Sequence, residues 1–519
     1  MTSVQNPRDP ESPGAASAAP ATAVLDHDDT APGMLETAQP RGLMTRKRVG
    51  LVAGLLLAWV VYAILPNDLE QNARITAAVA TVMAVWWMTE ALPLAATALV
   101  PLVAFPVLNV ATIDEVAPPY ANPIIFLFMG GFLLALALQR WNLHRRIALL
   151  TVLLIGTRPR QLIGGFMITT GFLSMWVSNT ATAVMMLPIG VSVLVLVAKS
   201  APEGKAPKNF GIALMLGIAY SASIGSLGTI IGTPPNALMV GYLAETHDIN
   251  IGFGEWMLVG VPLAVVFMFI AWFLLTYVFF KPEITEIPGG REMIQSEHKK
   301  LGKPSTGEKL VLGVFVLAAA AWISVPLLFP GSNIADAVIA MAVALILFLT
   351  PVSFRTGVPL LTWGSATALP WDILILFGGG LALSSQFSSS GLSVWVGEQV
   401  TGLGVLPLVV IIAAIAAIVL ALTELTSNTA TAATFLPLIG GVAIGLGLDP
   451  MLLVIPVALA ATCAFMLPVA TPPNAIAFSS GYIEIAHMLK AGVWLNLVAL
   501  VLTTLVTMTL AVWVFGIVY

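Results

Sequence analysis

The chain has 519 residues, of which 58% are apolar and only 9% are charged. Because soluble globular proteins carry about 25% charged residues, this composition argues against a soluble enzyme and a disordered scaffold. The net charge of −4 provides no basic surface for nucleic acid. A single cysteine, Cys463, excludes an internal disulfide and a cysteine-rich metal site. The composition therefore predicts a protein that crosses a lipid bilayer several times.

The N-terminal segment differs from the rest of the chain. Residues 1–45 are rich in Pro, Ala, Ser, Asp and Thr and lack a periodic apolar face, so we expect a disordered cytoplasmic tail. A first transmembrane helix is expected within 46–72, followed by two related segments, 73–309 and 310–519. The predicted apolar spans are 49–65, 73–90, 91–108, 122–139, 209–244, 256–280, 310–328, 334–351, 371–386, 450–486 and 490–518.

Two further apolar stretches, 161–198 and 403–447, carry a polar break in the middle. Each half has about 16–20 residues, which at about 1.5 Å per residue is short for a hydrocarbon core of about 30 Å. We therefore expect two re-entrant hairpins, each of which returns to its own side of the membrane. Segments 209–244 and 450–486 are expected to be broken helices, because a proline pair interrupts each of them.

The distribution of basic residues predicts the orientation of the chain. With eleven spans and two hairpins, all the large clusters of Lys and Arg fall on one side of the membrane. The positive-inside rule then places the N-terminus in the cytoplasm and the C-terminus outside the cell. Two full crossings in place of either hairpin would put the later clusters on the wrong side. The clusters are 46–48, 140–160, 199–208, 281–309, Arg355 and Lys490.

The sequence contains the same motifs twice. Ser-Met-Trp-Val-Ser-Asn-Thr-Ala-Thr at 174–182 matches Thr-Glu-Leu-Thr-Ser-Asn-Thr-Ala-Thr at 423–431, 249 residues later. Gly-Thr-Pro-Pro-Asn-Ala at 232–237 matches Ala-Thr-Pro-Pro-Asn-Ala at 470–475, 238 residues later. Each half holds an odd number of spans, so the second half enters the membrane upside down. Such an inverted repeat is typical of secondary transporters, whose binding site lies near the midplane, and a duplicated channel is the alternative.

The chemistry of the repeated motifs suits ions. Each hairpin tip and each proline pair is followed by a helix N-terminus, which attracts an anion through its free N–H groups and its dipole. Freed carbonyls and the oxygens of Ser, Thr and Asn form a shell suited to a small cation. No Lys or Arg lies near the breaks in the sequence, so a bound anion depends on these groups and on co-bound cations. Ordinary helix capping without a ligand is the alternative interpretation of a single tip.

These twin motifs, together with Trp-Trp-Met-Thr-Glu-Ala-Leu-Pro at 86–93, resemble the divalent anion–sodium symporter family. The chain is most similar to the bacterial sodium-coupled dicarboxylate transporters of that family, from about residue 49 to 519. The expected fold is an all-α polytopic membrane protein with eleven transmembrane helices, two re-entrant hairpins and two broken helices in an inverted repeat. The resemblance further implies a homodimer, an elevator-like motion of the binding site, and two or more bound sodium ions.

The resemblance also implies which residues bind ligands. A first sodium ion is expected among Ser174, Ser178, Asn179 and the Gly232 carbonyl. A second is expected among Thr423, Asn428 and the Ala470 carbonyl, with Ser427 next to it. The carboxylates of the substrate are expected to contact Asn179, Thr180, Thr233, Ser427, Asn428, Thr429, Thr471 and Pro472.

The sequence thus predicts a plasma-membrane transporter, not an enzyme, that imports C4-dicarboxylates such as succinate, fumarate and malate with sodium. A sodium-independent di- or tricarboxylate exchanger and a sulfate carrier are alternatives within the family. An anion channel and an intramembrane hydrolase are alternatives from other classes; no Ser/His, paired-Asp or metal constellation lies at membrane depth to support the second. Glu424, close to the second tip, is expected either to add negative charge there or to make a structural hydrogen bond to the hairpin backbone.

Overall fold

The computed structural model describes residues 41–156, 158–200, 207–286, 290–329, 334–353 and 355–518. Residues 1–40, and with them most of the predicted cytoplasmic tail, lie outside the described residues. The described chain is helical, apart from its loops and one antiparallel bridge between Pro351 and Pro359. This agrees with the predicted all-α class.

The first half of the chain is a series of helices with short connections. A 3-10 helix, Pro118–Ala121, precedes α6, and a π-helical segment, Leu274–Phe279, extends α12. The α-helices are α1 (Arg41–Ile64), α2 (Gln71–Thr89), α3 (Leu94–Thr97), α4 (Val100–Val107), α5 (Ile113–Val116), α6 (Pro123–Arg140), α7 (Leu143–Ile155), α8 (Pro159–Ser174), α9 (Asn179–Ser200), α10 (Lys208–Ser226), α11 (Pro234–His247), α12 (Phe253–Phe273) and α13 (Gly290–Lys300).

The second half repeats the order of the elements that carry the motifs. The pair α19–α20 corresponds to α8–α9, and α21–α22 corresponds to α10–α11. The helices are α14 (Thr306–Leu328), α15 (Asp336–Leu349), α16 (Trp363–Ala366), α17 (Trp371–Ser389), α18 (Leu392–Gln399), α19 (Leu408–Thr423), α20 (Asn428–Gly445), α21 (Met451–Thr462), α22 (Pro472–Ser479), α23 (Ile485–Val506) and α24 (Val512–Phe515), with a 3-10 helix at Thr401–Val405 and a π-helical segment at Thr507–Ala511.

Among the described residues, eight helices are long and apolar enough to cross a membrane, or nine if α17 and α18, which are bent by 73°, form one span. The prediction was eleven spans. Two of the eight, Asn179–Ala198 and Asn428–Gly445, are second arms of the expected hairpins, and four further described helices are apolar but shorter. These shorter helices are Leu94–Val107, Asp336–Leu349, Leu408–Thr423 and Met451–Thr462. The count of eleven stays a prediction.

Both expected hairpins contain two helices with a short break between them. The first arms, α8 and α19, have 16 residues each. The second arms, α9 and α20, have 22 and 18 residues, and each contains one proline, Pro188 or Pro437. The second arms are long enough to span a membrane by themselves, and the re-entrant arrangement stays a prediction.

The segment 140–160, one of the predicted basic clusters, contains the helix α7. The helix is amphipathic, but its buried side includes a basic residue, so the apolar face is interrupted in the sequence. Arg146 is buried and pairs with Glu308 at 3.0 Å, whereas the half-exposed Arg145 pairs with Glu297 of α13 at 3.0 Å. The helix therefore packs along the edge of the helical core instead of forming a loop.

Candidate binding site at the helix breaks

The first hairpin tip brings a hydroxyl and an amide into contact. Helix α8 ends at Ser174 and α9 begins at Asn179. The Ser174 hydroxyl donates to Asn179 Oδ1 at 2.6 Å, and Asn179 Nδ2 donates to Ser226 Oγ at 3.3 Å. Ser178 Oγ accepts from the Ala181 N–H at 3.3 Å and so caps α9. The tip is thereby joined to Ser226, the last residue of α10.

The first helix break, residues 227–233, is closed by one asparagine. Asn236 Nδ2 donates to the carbonyls of Leu227 and Thr229, at 3.3 and 2.9 Å, and so satisfies acceptors that the break has freed. Gly232 lies against the carbonyl of Ser226 so closely that any side chain would clash with it. The backbone around Gly232 is therefore held next to the residues of the first tip.

The second hairpin tip repeats the hydroxyl–amide contact. Helix α19 ends at Thr423, and its hydroxyl is shared between Asn428 Oδ1 and the Ala461 carbonyl, both at 2.7 Å. Asn428 Nδ2 points to the carbonyl of Thr462, the last residue of α21, at 3.5 Å. The second tip thus contacts the end of the second broken helix, as the first tip contacts the end of the first.

The second break, residues 463–471, is closed by the matching asparagine. Asn474 Nδ2 donates to the carbonyls of Ala464 and Leu467 at 3.1 Å each. The Thr471 hydroxyl accepts from the Asn474 N–H at 3.3 Å and so caps α22. The asparagines of the two Thr-Pro-Pro-Asn motifs therefore close both breaks in the same way, whereas Thr471 caps its helix and Thr233 does not. Helix α22 ends at Ser479, short of the predicted end of the segment at 486, and a loop leads to α23.

A buried carboxylate holds the second break in place. Glu424, which is only 3% exposed, directly follows Thr423. Its oxygens accept from the backbone N–H groups of Phe465, Met466 and Leu467 at 2.7, 3.0 and 3.2 Å, and from Asn496 Nδ2 at 2.8 Å. The expected bond to a backbone is thus present, but the backbone is that of the break and not that of the hairpin. The negative charge also lies next to the second tip.

The two halves contact each other at the helix breaks. The hydroxyls of Thr233, in the first break, and Thr462, at the end of α21, are 3.3 Å apart. The hydroxyl of Tyr220, on α10, donates to the carbonyl of Phe465 at 2.8 Å. Helix α9 packs against α22, and α20 packs against α11. Each hairpin therefore contacts the resumed half-helix of the other repeat, so that residues of both halves can form a common site.

The predicted ligand residues fall into two groups by position. Ser174, Asn179 and Gly232 are brought together around Ser226, and Thr423 and Asn428 are brought together around the end of α21. Ala470 lies in the second break, and its N–H donates to the carbonyl of Leu467, whose own N–H donates to Glu424. The predicted substrate residues are graded in exposure: Thr233 and Thr471 are buried, Ser427, Asn428, Asn179 and Thr429 are half-buried, and Thr180 and Pro472 are exposed.

The chemistry of the site is that of neutral oxygens and helix ends. In the described part of the chain, none of the hydrogen bonds of these residues comes from Lys or Arg. Hydroxyl, amide and carbonyl oxygens suit a small cation, and the N-termini of α9, α11, α20 and α22 suit an anion. A cluster of three or more His, Cys, Asp or Glu side chains is absent from the described residues.

Sequence reasoning missed several residues that shape the site. Asn236 and Asn474 are the asparagines of the two Thr-Pro-Pro-Asn motifs, and their occurrence in both halves was a signal that could have assigned them a role. Ser226 and Thr462 carry no signal, since only the folded chain brings the ends of α10 and α21 to the tips. Asn496, which donates to Glu424, comes from the distant helix α23.

Residues 45–517 match a protein family described as the sodium:sulfate symporter transmembrane region. Similar proteins include a sodium-dependent dicarboxylate transporter SdcS of Staphylococcus saprophyticus, 43% identical over 483 residues, which are 90% of this chain and 92% of that protein. The protein of the same name from Staphylococcus aureus strain USA300 is 42% identical over 468 residues, 88% of this chain and 90% of that protein.

Solved structures of membrane transporters share the fold. The YdaH transporter of Alcanivorax borkumensis is 13% identical with a TM-score of 0.53, and the match covers 91% of this chain and 98% of that chain. MtrF of Neisseria gonorrhoeae is 11% identical with a TM-score of 0.54, over 92% of this chain and 96% of that chain. The family is one of membrane transporters and not of enzymes, in agreement with the prediction. The chain belongs to the sodium:sulfate symporter family.

Proposed function

We propose that this integral plasma-membrane protein is a sodium-coupled importer of C4-dicarboxylates such as succinate, fumarate and malate. The two staphylococcal relatives, named sodium-dependent dicarboxylate transporters, support the substrate class and the coupling ion. The observation that carries the proposal is the pair of matching tips, in which a hydroxyl contacts an asparagine oxygen at 2.6 Å and at 2.7 Å. Two equivalent oxygen clusters beside two broken helices suit two cations.

In this proposal each tip binds one sodium ion. Oxygens of Ser174, Ser178, Asn179 and the Gly232 carbonyl bind the first ion, and oxygens of Thr423, Asn428 and the Ala470 carbonyl bind the second. The hydroxyl and amide oxygens of each tip already converge, so a bound ion needs only small rotations of side chains to reach them. Glu424 compensates part of the positive charge at the second ion.

The dicarboxylate binds between the tips. Its carboxylates contact Asn179, Thr180, Thr233, Ser427, Asn428, Thr429, Thr471 and Pro472, and the N-termini of four helices face them. Since no basic side chain contributes, the two sodium ions supply the positive charge that a doubly charged anion needs. Binding of the cations orders the tips first, and the ordered tips then accept the anion, which couples the two fluxes.

Movement across the membrane follows an elevator-type cycle in this proposal. The hairpins and broken helices form one packed unit, through the contacts of α9 with α22 and of α20 with α11. Such a unit can carry an intact site past a static partner domain, because its ligands do not separate. The protein acts as a homodimer, with its N-terminus in the cytoplasm and its C-terminus outside.

Uptake of radiolabelled succinate into proteoliposomes tests the proposal. We expect accumulation above the external concentration when sodium is imposed as an inward gradient, and none when choline replaces sodium. Accumulation that ignores sodium and instead requires internal dicarboxylate would contradict coupling and indicate exchange. A current that exceeds the turnover rate of a carrier by far, without accumulation of succinate, would indicate a channel.

Two variants test the placement of the cations. Asn179→Ala and Asn428→Ala are each expected to abolish uptake, because each removes the amide oxygen that both the ion and the substrate need. Asn250→Ala, in an exposed loop, is the matched control and should leave uptake unchanged. Unchanged sodium dependence in both site variants would show that the cation sites lie elsewhere.

Sulfate is the alternative substrate that the name of the family favours. Sulfate is small and carries both charges on one centre, whereas succinate separates them. A site with helix ends on both halves suits two separated carboxylates. We expect unlabelled succinate to compete with labelled succinate for uptake. Sulfate at about a tenfold larger concentration should have little effect, which requires that sulfate bind more weakly than succinate by more than about 1.4 kcal/mol. Full competition by sulfate would favour the sulfate carrier.

A further inference from the structure

A long apolar groove lies between α8, the first arm of the first hairpin, and α12. Its volume is about 680 Å³, within the range of about 300–1,000 Å³ that is typical of ligand pockets. Several of its lining side chains are well exposed, so the groove opens laterally and not toward the core. Its apolar walls include Ile168, Phe172, Val261, Val265, Met268 and Phe269.

The groove is long and narrow. On α8 its lining runs from Arg160 to the tip residue Met175, and on α12 from Met257 to Trp272. Fifteen steps of about 1.5 Å give a length of about 22 Å on either helix. One leaflet of the hydrocarbon core is about 15 Å thick, half of about 30 Å. The groove therefore accommodates one extended acyl chain that enters at one end.

One end of the groove is polar and basic. The guanidinium of Arg160 lies 4.1 Å from the centroid of the Tyr277 ring, and Trp272 Nε1 donates to the Arg160 carbonyl at 2.9 Å. Across the residues that the structure describes, Arg160 forms no ion pair with a carboxylate. A guanidinium with free donors at the edge of an apolar surface suits a phosphate, which it binds through two parallel hydrogen bonds.

We propose that the groove binds one anionic phospholipid. Its phosphate pairs with Arg160, one acyl chain follows the groove between α8 and α12, and the end of that chain reaches Met175 and Trp176 at the hairpin tip. Arg160 belongs to the basic cluster predicted for the cytoplasmic side, where the leaflet is rich in anionic lipid. The complementary charge at one end and the length of the apolar part favour a phospholipid over a second protein.

The lipid contacts the back of the first tip. Met175 directly follows Ser174, its carbonyl accepts a hydrogen bond from the Thr229 hydroxyl, and its methyl group lies beside Gly228 of the first break. An acyl chain against Met175 therefore stabilises the contact between tip and break. If the first tip binds sodium as proposed above, occupancy of the groove raises the affinity for that ion.

Photolabelling tests the binding itself and needs no transport. The purified full-length protein is mixed with phosphatidylglycerol that carries a diazirine at the end of one acyl chain, and the labelled residues are mapped by mass spectrometry. We expect labels near the hairpin tip, on residues 172–176 and 257–261, where the chain should end. Arg160→Gln should lower labelling about tenfold, as expected when a charge-assisted contact is removed. Phosphatidylcholine with the same chains should label weakly.

Two matched pairs of variants make the test specific. Arg158→Gln changes an exposed arginine that does not line the groove, and it should leave labelling unchanged. Val265→Trp fills the groove and should abolish labelling, whereas Val266→Trp, on the neighbouring exposed position outside the groove, should not. Equal effects within either pair would overturn the proposal, as would labels spread evenly over other helices.

Other occupants would give different results. If Val265→Trp changes the oligomeric mass in native mass spectrometry, the groove is a contact between protein copies and the proposal is wrong. Equal labelling by phosphatidylcholine and phosphatidylglycerol would indicate ordinary boundary lipid and would also overturn it. If labelling is specific but Arg160→Gln leaves the sodium dependence of uptake unchanged, the lipid site is supported. The proposed effect of the lipid on sodium affinity at the first tip is then wrong.

Discussion

The two hairpin tips share one design but are supported by different residues. In both, a hydroxyl at the end of the first arm contacts the asparagine that begins the second arm, at 2.6 and 2.7 Å. In both, the asparagine of Thr-Pro-Pro-Asn closes the neighbouring helix break. At the position after the hydroxyl residue, however, the first tip has Met175 and the second has Glu424. The hydroxyl–asparagine contact is duplicated, while the residue that follows the hydroxyl is not.

The difference follows from the length of the breaks. The first break has seven residues, 227–233, and the second has nine, 463–471. A longer break frees more backbone N–H groups in an environment without water, where each unsatisfied group is costly. Glu424 satisfies three of these groups at once. The second site therefore depends on a buried negative charge, and the first site does not.

The first tip is supported by close backbone packing instead. Gly171 of α8 and Gly225 of α10 approach so closely that a side chain on Gly225 would clash with the Gly171 carbonyl. The residue 249 positions after Gly171 is Leu420, a buried residue with a large side chain where the first arm has none. Four sets of substitutions test this contrast.

Replacing Glu424 by Gln should have the largest effect. The amide offers a single acceptor oxygen and turns an NH₂ group toward backbone donors, so buried N–H groups of the second break lose their partner at about 1–3 kcal/mol each. We expect uptake to fall more than about a hundredfold, the equivalent of about 2.8 kcal/mol, with a lower midpoint of thermal unfolding in detergent. Met175→Leu, at the equivalent position, is the control and should cost less than about 1.5 kcal/mol. Wild-type stability and sodium dependence in Glu424→Gln would remove the contrast between the tips.

Gly225→Ala should come next. The added methyl group forces α8 and α10 apart, at about 1–3 kcal/mol, and separates the first tip from the first break. The measured quantities are the unfolding midpoint and the sodium concentration for half-maximal uptake, which should rise about tenfold. Gly313→Ala, on α14 and with no neighbour within 4 Å of the new methyl group, should change neither. If both variants behave alike, close backbone packing is not what supports the first tip.

Asn236→Ala and Asn474→Ala should have intermediate and similar effects. Each removes two hydrogen bonds to carbonyls of one break, at about 0.5–1.5 kcal/mol per bond. We expect the two unfolding midpoints to fall by similar amounts, since in both halves the asparagine donates to two carbonyls of the break. A much smaller effect of Asn474→Ala would mean that Glu424 alone is sufficient to hold the second break.

Exchanging the hydroxyl residues should have the smallest effect. Ser174→Thr and Thr423→Ser each retain the hydroxyl that contacts the asparagine and change only one buried methyl group, worth about 1 kcal/mol. We expect the sodium concentration for half-maximal uptake to change less than about fivefold in both. A loss of uptake in Ser174→Thr alone would show that the first site is sterically tighter than the second.

The candidate site could be located in the sequence because its motifs occur twice. The repetition identified Asn179 and Asn428, both proline pairs and the residues around them. It could not identify Ser226 or Thr462, because a contact between the end of one helix and the tip of another depends on packing. The helix α7 is absent from the predicted spans for a related reason: only the fold shows that Arg146 of this basic cluster is buried and pairs with Glu308.

The sequence by itself determined that this protein belongs in a membrane, that it contains a duplicated motif, and where its helices break. Those features are local: low charge, a repeat with a fixed offset, and proline pairs that remove backbone donors. Only the tertiary structure decided what Glu424 does and how the two halves share one place. A buried carboxylate acts through whichever donors the fold brings to it, and here these are the N–H groups of a break 41 to 43 residues further along the chain.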